Sequence, residues 1–151
     1  MAGVYEDVVV PSTVYEEVVG RGFGRRFGDA GLVASAVAGG SLRVVDVGEE
    51  DLERILRIAP VLHPGEAGVL ALAVRLRPCH VLVDDRAARL VARALGLEVH
   101  GTLYVLRRAV DKGVLPVGEA LEVLDRIVES GFRISVDLYL EARRMLMGGG
   151  K

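Results

Sequence analysis

The chain has 151 residues, 51% hydrophobic and 26% charged, with 19 basic against 21 acidic side chains and a formal net charge of -2. That length and apolar content suit one domain with a real core and exclude a disordered chain. The balanced charge excludes a bulk electrostatic case for nucleic acid, and no apolar run is long and clean enough to cross a membrane; with no signal-peptide layout at the start, a cytoplasmic location is expected.

The single Cys79 rules out an intrachain disulfide and a thiolate cluster within one chain. Its place at a helix-to-strand connection predicts a buried small apolar group. Asn and Gln are absent, and all but two of the basic residues are Arg. Loss of thermolabile amides is expected of a heat-adapted protein, although GC-rich coding bias produces part of the same signal.

In chain order, Val8-Val9-Val10 predicts a short buried strand stopped by Pro11. Ser12 or Thr13 is expected to cap the helix that follows, with Glu16 and Glu17 in its early turns and Val14, Val18 and Val19 on its apolar face. Residues 20–28 interleave Gly22 and Gly24 with Arg21, Arg25 and Arg26 and with Phe23 and Phe27, which predicts a loosely packed connection with a locally positive face. These glycines do not follow a strand, so they are neither a dinucleotide nor a phosphate-loop fingerprint. Asp29 is expected to cap a helix through Val37, closed by Gly39-Gly40, and Leu42 to Val47 has the β-branched content of a second strand. Glu49 to Ile58 reads as a helix turning Leu52, Ile55, Leu56 and Ala59 toward the core. Pro64-Gly65-Glu66 opens a more apolar helix carrying Ala67, Leu70, Ala71, Val74 and Leu76, which Pro78 ends. Val81 to Val83 then predicts a fully buried strand, and Ala87, Ala88, Leu90, Val91, Ala94 and Leu95 have the spacing of a helix packed on a sheet. Gly96 gives a stop and Leu97 to His100 a brief edge strand. Three helices follow, Thr102 to Asp111, Val117 to Glu129 and Val136 to Met147, separated by Gly113, Pro116 and Gly131, with residues 148–151 as a flexible tail. The pattern is α/β: a short, mostly parallel sheet of about four strands with helices on both faces and a helical C-terminal part. Apolar faces such as Leu121, Leu124, Ile127 and Val128 suit either the core of one chain or a homodimer.

Open α/β sheets keep their clefts at the carboxyl ends of the strands, which is where Asp84 and Asp85 fall. Each has a structural reading as a helix cap, as does Glu66 near its helix N-terminus, but adjacent acids rarely both cap. Carboxylates gathered in one cleft repel one another, and a hard divalent cation relieves that repulsion and can activate water for phosphodiester hydrolysis. Oxygen-only ligation favours Mg²⁺ or Mn²⁺ over zinc. His63, His80 and His100 have no short metal-ligand spacing, and His80 reads as structural or surface; His63 precedes the Pro64-Gly65-Glu66 turn and could face the cleft. Cys79 and His80 are adjacent, so their side chains diverge in an extended chain and make a poor dyad. No serine nucleophile elbow is present.

Three stretches, Val8-Val9-Val10-Pro11-Ser12-Thr13-Val14-Tyr15-Glu16-Glu17-Val18, Gly65-Glu66-Ala67-Gly68-Val69-Leu70-Ala71-Leu72-Ala73 and Val81-Leu82-Val83-Asp84-Asp85-Arg86-Ala87-Ala88-Arg89, taken in this order and spacing, resemble the PIN-domain superfamily. Within it the chain looks like an uncharacterised prokaryotic branch related to VapC-type toxin ribonucleases, a likeness that Gly101-Thr102-Leu103 and Gly131-Phe132-Arg133-Ile134-Ser135 extend through the C-terminal half. The resemblance implies a three-layer α/β/α, PIN-like domain over residues 1–147. It implies a ribonuclease dependent on Mg²⁺ or Mn²⁺ that cleaves RNA phosphodiesters with metal-activated water, a homodimer, and an antitoxin-like protein partner in a toxin–antitoxin system. Its early-helix acid matches Glu17 or Glu16, its middle-helix acid Glu66, and its late acid Asp84 or Asp85, with Asp84 preferred because it directly ends the strand. The family's first strand and the Asp that ends it have no match, and Asp7 precedes its strand instead. The sheet is therefore expected to be N-terminally incomplete, so that the strands at Val8 and Val81 pair differently or another segment, for instance from a swapped dimer, fills the gap. Loss of one ligand makes a catalytically degenerate PIN-like binding or regulatory protein the alternative.

Overall fold

The computed structural model describes residues 3–20 and 29–148. The arginine- and glycine-bearing stretch at 21–28, the Asp29 side chain and residues 149–151 of the expected tail lie outside the described residues. The described chain forms two compact units, residues 7–100 and residues 101–148 with the N-terminal residues 3–6.

Residues 7–100 form an α/β unit in which, among the described residues, two small two-stranded parallel sheets are flanked by helices, where the sequence suggests one sheet of about four strands. Strand β1 (Val9–Pro11) leads into helix α1 (Ser12–Tyr15), which passes without a break into a π-helical turn, Glu16–Gly20. Helix α2 (Asp29–Ala38) precedes strand β2 (Arg43–Val45), and helices α3 (Glu49–Ile58) and α4 (Pro64–Leu76) precede strand β3 (Val81–Leu82). Helix α5 (Arg86–Ala94) and strand β4 (Val99–His100) complete the unit. Among the described residues the strands pair as β1 with β2 and β3 with β4, both parallel, with Val10 opposite Val44, Val81 opposite Val99 and Leu82 opposite His100.

The strands are shorter and less buried than the β-branched runs suggest. Of Val81, Leu82 and Val83 only Val81 is buried, and all of Val8, Val9 and Val10 are half-buried. Pro11 belongs to β1, as its last residue, where its missing N–H costs no internal ladder bond. Ser12 does not cap α1: its hydroxyl donates to Asp46 Oδ1 at 3.0 Å, which ties the start of α1 to the end of β2. Cys79, expected inside, is exposed, because the turn that leaves α4 through a left-handed Arg77 and Pro78 runs along the surface.

Helix α4 is the centre of this unit. Seven of its 13 residues are buried, namely Gly65, Ala67, Gly68, Leu70, Ala71, Leu72 and Ala73, as expected of a helix apolar on most of its circumference. It packs against α3, α1, α5, β1 and β3. The core around it takes Ile55 and Ala59 from the α3 side, Val81 and Val99 from the strands, and Ala88 and Ala92 from α5. Leu90 is 56% exposed, so the inner face of α5 is the alanine stripe at 88 and 92 with Ala87, Val91 and Leu95 beside it.

The second unit is helical, with α6 (Thr102–Asp111), α7 (Val117–Glu129) and α8 (Val136–Met147) around their own core of Leu106, Val110, Ala120, Leu124, Ala142 and Leu146. An Arg143–Asp125 ion pair at 3.1 Å joins α8 to α7, and the Ser135 hydroxyl caps α8 by accepting from Leu138 N. Lys112 donates to the carbonyl of Val4 at 2.7 Å, holding the N-terminal residues on this unit.

Candidate functional site

The acids singled out in the sequence come from three elements of the α/β unit. Glu17 lies in the π-helical turn after α1 and is half-buried, whereas Glu16 is exposed. Its position is set by Gly65, the second residue of α4: a methyl group built on Gly65 would stand 2.5 Å from Glu17 Oε2 and 3.0 Å from Oε1. Only the absence of a side chain there lets the Glu17 carboxylate rest on the start of α4. Glu66, the next residue, is half-buried, and its Oε2 accepts from the backbone N–H of His63 at 2.9 Å. Two carboxylates thus share the N-terminal end of α4, where the helix dipole favours negative charge. His63 itself is exposed.

Asp84 and Asp85 are both exposed and follow β3 at its carboxyl end. They divide the work between them. Asp85 is the N-cap of α5, its Oδ1 accepting from Ala88 N at 2.8 Å. Asp84 sits one residue earlier, between the strand and the cap. The four acids Glu17, Glu66, Asp84 and Asp85 offer only oxygen donors, the set that suits a hard cation.

A second constellation was not singled out from the sequence. Among the described residues, the group of three or more potential ligands whose donor atoms all lie within 4.8 Å of one another is His80, Glu98 and His100. The four acids do not form such a group. His80 precedes β3, and Glu98 and His100 flank Val99 in β4, so the β3–β4 register builds the cluster. Glu98 Oε1 stands 3.0 Å from His100 Nε2 and 3.3 Å from His80 Nδ1. The two imidazoles meet edge to face, 5.2 Å between centroids. The hydrogen bond from His100 holds the Glu98 carboxyl below the usual carboxylate range, partial desolvation opposes this, and the charges of His80 and His100 add to it. A Glu-x-His alternation on an edge strand was the available signal, since residues two apart on a strand share a face.

A model of the PIN domain family matches residues 1–147. The chain belongs to the PIN-domain family. The match runs through both compact units of this PIN domain. No curated protein and no solved structure matches the chain. The PIN-domain assignment and the His80–Glu98–His100 cluster together are consistent with divalent-metal chemistry of a general kind. No helix among the described residues is long and apolar enough to cross a membrane.

Proposed function

We propose that this PIN-domain protein is a divalent-metal-dependent ribonuclease, with Glu17, Glu66 and Asp84 as the carboxylates that hold Mg²⁺ or Mn²⁺ and Asp85 beside them. The observation that carries this reading is the seat of the Glu17 carboxylate on Gly65, next to Glu66. A bare glycine at that point leaves space for a charged group that a purely structural helix start does not need. Asp84 extends the oxygen donor set from the carboxyl end of β3. When bound, a divalent cation supplies positive charge against the phosphate and lowers the pKa of water. The residues of the chain do the rest. Glu17, Glu66 and Asp84 orient and neutralise the cation, Asp85 holds the first turn of α5, and Arg86, exposed in that turn, binds the RNA backbone electrostatically.

The second reading, a catalytically degenerate PIN-like protein that binds or regulates, is favoured by the duties of two acids. Glu66 already accepts from the start of its helix and Asp85 from the start of α5. Mn²⁺ calorimetry on the parent and on Asp84→Asn, run beside cleavage of a mixed RNA pool, separates the two. Binding and cleavage that both vanish in the variant support the nuclease. A folded parent that neither binds Mn²⁺ specifically nor cleaves RNA establishes the binding reading instead.

The same reading includes a homodimer and an antitoxin-like protein partner. Its support is the apolar surface of α8, where Val136 and Met147 are 73% and 58% exposed. Light scattering at micromolar concentration is expected to give twice the chain mass, and a stable monomer removes the homodimer.

A further inference from the structure

We propose that His80, Glu98 and His100 form a second metal site, selective for a borderline divalent cation of the Zn²⁺ class and separate from the carboxylates at the other end of β3. The proposal stands independently of the ribonuclease reading.

The donor set is the first argument. Two imidazole nitrogens and one carboxylate oxygen suit Zn²⁺, Ni²⁺, Co²⁺ or Cu²⁺, and suit Mg²⁺ or Ca²⁺ poorly, because those ions prefer oxygen alone. Geometry is the second. Donors 2.0–2.1 Å from a tetrahedral ion stand about 3.3 Å from one another. Glu98 Oε1 lies 3.0 Å and 3.3 Å from the two ring nitrogens, and all three donor atoms fall within 4.8 Å. The arrangement therefore needs displacements of an ångström or so to close on an ion. His80 Nδ1 is shielded from solvent and faces the same carboxylate oxygen.

Register makes the cluster a consequence of the fold. Val81 lies opposite Val99 with both side chains buried, and Val81 N donates to Glu98 O at 2.8 Å. Residues adjacent to that pair turn to the other face, so His80 stands beside Glu98, and His100, two residues on, shares the face of Glu98. Asp84 is not among the donors that lie within 4.8 Å of one another. Three protein donors leave the fourth tetrahedral position to water. An ion here bridges β3 to β4, a pairing with a two-residue register, and so stabilises the folded state in proportion to its occupancy.

The test uses the full chain stripped of metal with a chelator, then titrated with Zn²⁺ against a chromophoric competitor, with Co²⁺ absorption as a second readout. The expected result is one Zn²⁺ per chain, a tetrahedral Co²⁺ spectrum, a Tm raised by Zn²⁺, and no displacement by millimolar Mg²⁺. The endpoint is lost in His100→Ala and in Glu98→Gln, the latter a change at a 62% exposed side chain that leaves the fold intact by circular dichroism. It is kept in Asp84→Asn. The proposal is overturned if the folded parent takes up no stoichiometric Zn²⁺, if Glu98→Gln binds as tightly as the parent, or if Asp84→Asn abolishes uptake. Because metal content is read directly, failure of RNA cleavage leaves this outcome unaffected.

Discussion

Neighbouring side chains of the same type carry different loads in this protein. Asp85 accepts from Ala88 N and caps α5, whereas Asp84, one residue before it, closes the run from β3. Asp85→Ala is therefore expected to lower stability by about 1 kcal/mol in urea denaturation, within the 0.5–2 kcal/mol range of lost caps. Asp85→Asn keeps an accepting oxygen and is expected to lose only a few tenths. If Asn and Ala cost the same, the cap does not matter and Asp85 is held for its charge. At Gly65 the load falls on the residue opposite. A methyl group there displaces the Glu17 carboxylate, the flexible end of a long side chain, so Gly65→Ala is expected to remain folded and yet bind Mn²⁺ more weakly. Calorimetry beside a thermal melt checks this, and unchanged Mn²⁺ affinity in a folded variant would remove Glu17 from the site.

At the scale of an element, α4 decides whether the α/β unit exists. Its small residues let α1 approach: a Cβ on Gly68 would overlap the Thr13 hydroxyl and stand 3.2 Å from Thr13 Cβ. The Thr13 atoms met there are its Cβ and the groups one bond beyond it, which have less room to move than the end of the longer Glu17 side chain. Gly68→Ala is expected to cost about 1–3 kcal/mol, as overpacked cores do, despite the better helix propensity of alanine. Leu70 is fully buried, and Leu70→Ala should cost about 2–5 kcal/mol through lost transfer energy and the cavity left behind. A denaturation midpoint unmoved by Gly68→Ala would mean that α1 can shift away from α4. The strands contribute differently. The β3–β4 register is only two residues long, so its importance lies in the side chains it juxtaposes more than in its own hydrogen bonds.

At the scale of the whole molecule, there are two cores with separate membership, one around Leu70 and the other around Leu124, and the PIN-domain match covers both. Residues without shared partners contribute independently. The losses for Leu70→Ala and Leu124→Ala are accordingly expected to add in the double variant to within about 0.5 kcal/mol. A clear excess or shortfall in the measured unfolding free energy would show that the cores are coupled.

What the sequence by itself determined was everything that depends on neighbours along the chain. The helices Glu49–Ile58, Thr102–Asp111, Val117–Glu129 and Val136–Met147 follow from periodicity, glycines and prolines to the residue, because helix hydrogen bonds and helix faces are both local. The α/β class and the family were legible for the same reason: strands and helices alternate in order, and motif residues keep their spacing. Strand burial was not, since Val8–Val10 and Val81–Val83 look alike in any order of pairing and their exposure depends on what covers each face. Cys79 and Leu90 came out exposed although their sequence neighbourhoods point inward. Only the tertiary structure decided which of two adjacent glutamates reaches α4, because that rests on a missing Cβ in a helix nearly fifty residues away. It alone assembled His80 with Glu98 and His100, since a parallel register brings together groups that a helix and two turns separate along the chain, and no local pattern encodes that register.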